Sequence, residues 1–203
     1  MNKIRKILLE SGYITDEMIY TIQSDCSYYF DLNGHPVKSP PIYRGSDKSI
    51  RDYKIITPRK NRKPLDTPIE IHRELDKLFH KKFGWNVRSE GVFTTGSRAS
   101  ASEYGRPYII LPIGKFKYVW SPYIRDLHSK LVNTGVIYAR GGVSKVIMEK
   151  EEYTPILEEL INKYKDKDFD TAIHIGNEIS IKCDEYYMIN ENYLDVEYSN
   201  LFW

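Results

Sequence analysis

Apolar and polar positions alternate along this chain in short, clearly bounded blocks. Thr15 followed by Asp16 and Glu17 predicts a capped helix running to about Gln23. Residues 31–41, with Asn33-Gly34, Pro36, Pro40 and Pro41, read as turn and loop, and a strand is expected to begin near Ile42. The stretch from Ser46 to Asp66 mixes charge with proline and has little periodicity, so a long basic loop is expected there. Thr67 and Pro68 then open the clearest helix, with Ile71, Leu75, Leu78 and Phe79 on one face and Gly84 closing it.

Downstream the period changes from helical to strand-like. Gly91 to Thr94 reads as a strand, Ala99 to Tyr104 as a short helix ended by Gly105, and Pro107 to Pro112 as a fully apolar strand. Gly141-Gly142 lies between Val136-Ile137-Tyr138 and Val143 to Met148, which predicts a hairpin. A helix is expected from Thr154 to about Tyr164, then short strands over Ala172 to Ile175, Glu178 to Lys182 and Tyr186 to Ile189. The pattern predicts an α+β domain with a mostly antiparallel sheet and flanking helices. Residues 1–41 form an expected N-terminal helical appendage and loop, and residues 42–203 the main domain.

Composition narrows this. With 203 residues, 41% apolar and 29% charged, the chain can bury a core and resembles no disordered class. The apolar run Ile7-Leu8-Leu9 stops at Glu10, too short for a signal peptide or a membrane span, so a soluble cytoplasmic protein is expected, in the host cytoplasm if viral. Cys26 and Cys183 have no pairing pattern, and the five histidines lack metal-ligand spacing, so no disulfide scaffold and no metal are expected. Gly114-Lys115 lacks the rest of a P-loop, and no GxGxxG follows a strand.

Charge is uneven. Residues 44 to 63 carry eight basic residues against two acidic, a net of +6, whereas residues 149 to 203 carry fourteen acidic against five basic, a net of -9. A basic segment of this kind suits a polyanionic ligand, either nucleic acid or a dinucleotide pyrophosphate; it is equally compatible with a solvated face.

Three segments carry candidate chemistry: Tyr43-Arg44-Gly45-Ser46; Gly91-Val92-Phe93-Thr94-Thr95, continuing to Tyr104-Gly105; and Asp184-Glu185-Tyr186-Tyr187-Met188-Ile189. In this order they resemble the ADP-ribosyltransferase superfamily, over residue 42 to the C-terminus with a poorly matched middle. The first resembles the family's opening strand, which ends in Arg-Gly in the toxin-like branch. The resemblance implies that Arg44 holds the phosphates or ribose of NAD and that the Gly45 backbone binds the nicotinamide amide. The second is similar to the Ser-Thr-Ser strand, with Thr94 and Thr95 supplying hydroxyls, and Phe93 and Tyr104 matching aromatics that stack on nicotinamide in the polymerase branch. The third resembles the catalytic glutamate strand, which implies that Glu185 binds the ribose 2'-hydroxyl and stabilises the oxocarbenium ion formed as the glycosidic bond stretches.

The implied activity is mono-ADP-ribosyl transfer from NAD, used as substrate without a metal, to a macromolecular acceptor, with release of nicotinamide. Water as acceptor would make it an NAD glycohydrolase. Toxin-like members carry Glu or Gln two residues before the catalytic glutamate, where this chain has Cys183, so the acceptor stays open, with nucleic acid or a nucleic-acid-bound protein first among candidates. Arg62 and Asp66 in the basic loop are expected to cover NAD or to read the acceptor. The alternative from another class is a non-catalytic nucleic-acid-binding or anti-host protein using the basic loop and exposed tyrosines. A shared cleft for Glu185 and Arg44 separates the two readings.

Overall fold

A computed structural model describes residues 16–32 and 40–191. In chain order the elements are α1 (Asp16–Asp25), α2 (Ser27–Leu32), β1 (Ile42–Ser46), β2 (Tyr53–Ile56), α3 (Ile69–Phe83), α4 (Val87–Glu90), β3 (Val92–Thr95), α5 (Arg98–Ser102) and β4 (Arg106–Pro112). There follow β5 (Lys117–Trp120), α6 (Leu127–Asn133), β6 (Ile137–Arg140), β7 (Val143–Val146), α7 (Lys150–Asn162), α8 (Phe169–Ile175), β8 (Glu178–Lys182) and β9 (Tyr186–Ile189). The expected Thr15 cap and most of the 31–41 loop lie outside the described residues.

The class is α+β with an antiparallel sheet. Seven strands run in the order β2-β9-β4-β1-β3-β8-β5, and β6 and β7 form a separate hairpin. The pairing is uneven: β1 matches β4 over five residues but meets β3 only at Tyr43 opposite Thr95. The sheet is thus two half-sheets, β2-β9-β4-β1 and β3-β8-β5, touching at one residue pair.

Two hydrophobic clusters flank it. One joins the strands to α1, α2 and α8 through Met18, Ile22, Tyr29, Phe30, Ile110 and Phe169. Helices α1 and α2 therefore contribute to the same core as the strands. The other packs α3, α6 and α7 around Leu75, Phe79, Trp85, Leu131 and Leu157, with Val119 of β5. Among the described residues no helix is long and apolar enough to cross a membrane.

Three stretches read from the sequence pattern take a different form, and α2, α4, β5 and α6 are elements that it does not assign. The basic loop contains β2, an edge strand whose Tyr53 to Ile56 pair with Ile189 to Tyr186 of β9. Residues 172–175 are helical, because Phe169 together with Ala172 and Ile173 forms an i, i+3, i+4 buried stripe and Gly176 ends the turn at φ 74°. Helix α7 begins at Lys150, where the Glu152 side chain accepts from the Glu149 backbone at 3.0 Å, and continues through Pro155.

The C-terminal end of α7 depends on one cation. Lys82 Nζ, from the last turn of α3, donates to the carbonyls of Ile161, Asn162 and Tyr164 at 3.0, 2.9 and 2.7 Å. It satisfies groups that no helix can satisfy itself, and it opposes the negative end of the helix dipole. Lys82→Met is expected to lower unfolding stability by about 2 kcal/mol, read as a lower urea midpoint at unchanged slope.

Candidate functional site

Where the half-sheets part, Arg44 fills the gap. One residue beyond the Tyr43–Thr95 pair, its Nη1 donates to the Phe93 carbonyl of β3 at 3.0 Å. Beside this contact opens a cleft of about 270 Å³ whose walls include Arg44, Gly45, Phe93, Thr94, Thr95 and Tyr104. The structure brings these six expected residues together.

It does not bring Glu185 to them. Glu185 lies between β8 and β9, half-buried, and its carbonyl accepts from Ile113 N at 3.0 Å. Arg44 is opposite Tyr108, whereas Tyr186 is opposite Pro112, with β4 lying between β1 and β9. That places Glu185 roughly 16 Å along the strands and two strand spacings of about 4.8 Å across from Arg44. Glu185 is not among the residues lining the cleft, so the shared cleft of Glu185 and Arg44 on which the catalytic reading of Glu185 depended is absent.

Four carboxylates line this cleft, Asp66, Glu103, Asp126 and Glu178, and the one beside Thr95 is Glu178. It opens β8, directly opposite Thr95, so the two side chains share a face. Its own N–H donates to Arg125 O at 2.8 Å, and Thr95 Oγ1 donates to the Gly176 carbonyl at 2.6 Å, which fixes the turn that delivers it. Thr94 Oγ1 donates to Ile179 O at 2.9 Å. Both threonines therefore act as struts between β3 and β8, with their protons already committed to backbone oxygens.

Glu178 is 16% exposed and pairs with Arg88 Nη1 at 3.4 Å. Burial raises its pKa above the ordinary carboxylate value; Arg88 pulls it back, Asp126 adds to the rise and Arg62 opposes it. Arg62 lies in the segment linking β2 to α3, hereafter the strap, whose Asp66 also lines the cleft. Burial, Arg88 and Arg44 lower the Arg62 pKa to about 10. Arg62 Nη1, Arg88 Nε and His72 Nδ1 are buried without a hydrogen-bond partner among the described residues. A site with two unspent guanidinium donors and an unpartnered imidazole nitrogen beside a desolvated carboxylate suits a ligand with anionic and hydroxyl groups.

Two of the expected residues have a packing role as well. The Phe93 ring lies against two guanidinium groups, Arg62 at 4.2 Å and Arg88 at 4.4 Å from its centroid, so it serves as a cation platform. Gly45 is required by packing: a Cβ there would lie 2.1 Å from the Ala101 carbonyl of α5. Tyr104 is 61% exposed at the rim, and its hydroxyl donates to Asp126 Oδ2 at 3.4 Å. Burial and Asp126 push its pKa up to about 12, so it stays a phenol at neutral pH. It remains the open aromatic of the cleft.

Glu178, Arg88 and His72 were not singled out by sequence. Glu178 carries the same mark as Glu185, a carboxylate at the start of a strand after a turn. His72 sits in the buried stripe of α3, where a polar residue among Ile71, Leu75 and Phe79 is a visible anomaly.

Cys183 is half-buried, and burial and Asp184 push its thiol pKa up to about 12, which leaves it unreactive at neutral pH. Among the described residues no group of His, Cys, Asp and Glu could hold a metal ion. Comparison with known proteins adds no assignment: no family model, no curated protein and no solved structure matches this chain.

Proposed function

We propose that the cleft binds NAD and that the protein transfers ADP-ribose from it to a macromolecular acceptor, with Glu178 as the carboxylate that the reaction requires. The observation carrying this reading is the meeting of Arg44, Thr94, Thr95 and Glu178 at the point where the half-sheets diverge. Arg44, Thr94 and Thr95 belong to the segments by which the sequence resembles ADP-ribosyltransferases, whereas Glu178 lies outside the third of those segments and is assigned by its place in the cleft. An ADP-ribosyltransferase-like fold is part of the same proposal.

The chemistry follows from the charges. The C1'–N bond between ribose and nicotinamide breaks, nicotinamide leaves with the bonding electrons, and positive charge develops on the ribose. A fixed carboxylate in a desolvated cleft stabilises that charge far better than water does. The acceptor's nucleophilic atom bonds C1' and releases its proton to solvent; water in that place gives hydrolysis. Arg44, Arg62 and Arg88 supply donors for the pyrophosphate. Two residues before Glu178 stands Gly176, so no side chain there selects an arginine acceptor.

The exposed strap residues Arg59, Lys60 and Lys63 favour a nucleic-acid acceptor, since they carry positive charge in the same segment as the cleft residues Arg62 and Pro64. Charge reversal at Lys60 and Lys63 is expected to weaken binding to single-stranded DNA or RNA and flatten its salt dependence. Salt-independent binding in the parent protein would point to a protein acceptor.

Nicotinamide release from NAD is the direct assay. Glu178→Gln is expected to lower kcat about 100-fold or more, while Glu185→Gln leaves it unchanged; the reverse order rejects the assignment. Arg44→Lys is expected to raise KM more than it lowers kcat, because it removes ground-state contacts to NAD. The pH profile carries a sign. Activity needs ionised Glu178, and burial raises its pKa, so activity falls as pH drops through a midpoint above the ordinary glutamate value of 4.5. A profile flat through that range would exclude a buried carboxylate as the reacting group.

A further inference from the structure

Behind the cleft wall, α3 presents two polar side chains one turn apart on its buried face, His72 and Asp76. Asp76 Oδ1 accepts from the backbone N–H of Arg88 at 2.7 Å and of Ser89 at 3.3 Å, and Asp76 Oδ2 accepts a short hydrogen bond from the Ser89 hydroxyl. The hydroxyl has one proton and gives it to Asp76. Its contact with His72 Nε2 at 3.0 Å therefore has the histidine as donor, so Nε2 carries the proton and Nδ1 the lone pair. Burial lowers the His72 pKa and keeps the ring neutral in this arrangement.

The same short helix is the anchor of both cleft arginines. Arg88 belongs to α4, and Arg62 of the strap donates its backbone N–H to Ser89 O at 3.0 Å. A four-residue helix has almost no internal hydrogen bonding to fix its place. A buried carboxylate taking two of its N–H groups and a hydroxyl supplies what the helix lacks.

We propose that Asp76 is a positioning residue of the cleft: by gripping the α4 backbone it sets the Arg88 guanidinium against Glu178 and, through Ser89, holds Arg62 beside it. His72 completes the device by closing the Ser89 hydroxyl into one orientation. The role of this device in catalysis rests on the reading of Glu178 as the reacting carboxylate; the coupling from Asp76 to Glu178 rests on geometry alone.

The sign of one shift distinguishes this from a merely structural or purely electrostatic role. The charged and titratable groups facing Glu178 are Arg88 of α4, Arg62 of the strap, Asp126 before α6, Tyr104 after α5 and Tyr164 after α7, and Arg44 of β1 and Arg125 line the same cleft. Asp76→Asn alters none of them. Removing a negative charge from the neighbourhood, taken alone, lowers a carboxyl midpoint; letting Arg88 drift from Glu178 raises it.

The Glu178 carboxyl is followed by carbon-13 NMR titration in full-length protein, its signal assigned by its loss in Glu178→Gln. Asp76→Asn is expected to raise the Glu178 midpoint by about one pH unit, toward the value in Arg88→Met, which sets the full effect of losing the guanidinium. An unchanged or lowered midpoint overturns the proposal. Should Asp76→Asn not fold, Ser89→Ala loosens the same grip and is expected to raise the midpoint by less; no rise there overturns the proposal equally. The titration needs no NAD, so the two readings fail separately. A raised midpoint in a protein that never releases nicotinamide supports the coupling and counts against the NAD reading alone.

Discussion

The two half-sheets touch at a single residue pair, and the Arg44 guanidinium spans the gap that opens beyond it. Most of what is distinctive in this molecule depends on that contact. A continuous sheet would have paired Arg44 and Gly45 with Thr94 and Phe93 and left no space between them. Because pairing stops after Tyr43 and Thr95, the backbone carbonyl of Phe93 needs another donor, and Arg44 supplies it. The remaining guanidinium donors then face a cleft whose opposite wall, β8, is tied to β3 by the threonine hydroxyls.

The cleft is electrostatically unfinished. At its rim Arg125 is matched by Glu103, and Tyr104 holds Asp126. In the less exposed part, Arg44, Arg62 and Arg88 stand near Glu178, with buried donor atoms left unpartnered. An unpartnered buried polar atom costs about 1–3 kcal/mol, and folded proteins retain few of them. Their concentration here, next to a carboxylate whose charge is opposed by burial, is the pattern of a binding site. Asp76 and Ser89 hold this arrangement from behind, in the way that supporting residues fix reactive ones in other preorganised sites.

Much of this was legible in the sequence, for local reasons. The helix α3 announced itself through Pro68, its apolar spacing and Gly84, and β4 through an unbroken apolar run. Arg44, Gly45, Phe93, Thr94, Thr95 and Tyr104 meet as expected because they lie on β1, on β3 and at the turn after α5, elements that pack directly. The choice between Glu178 and Glu185 was not legible. Each follows a turn and begins a strand, and only the strand order places β8 beside β3 and sends β9 across to β4 and β2. Long-range pairing of that kind leaves no mark on either segment. Residues 172–175 misled for a related reason: the helical stripe includes Phe169, outside the short apolar run that reads as a strand.

The proposed function requires that a single ligand bridge Arg44 on one half-sheet and Glu178 on the other. A crystal structure of the Glu178→Gln protein soaked with NAD tests it most directly. NAD is expected in the cleft, with its pyrophosphate against the guanidinium groups and its nicotinamide ribose hydroxyls within hydrogen-bond distance of residue 178. NAD bound beside Glu185, or an empty cleft at saturating NAD, would contradict it.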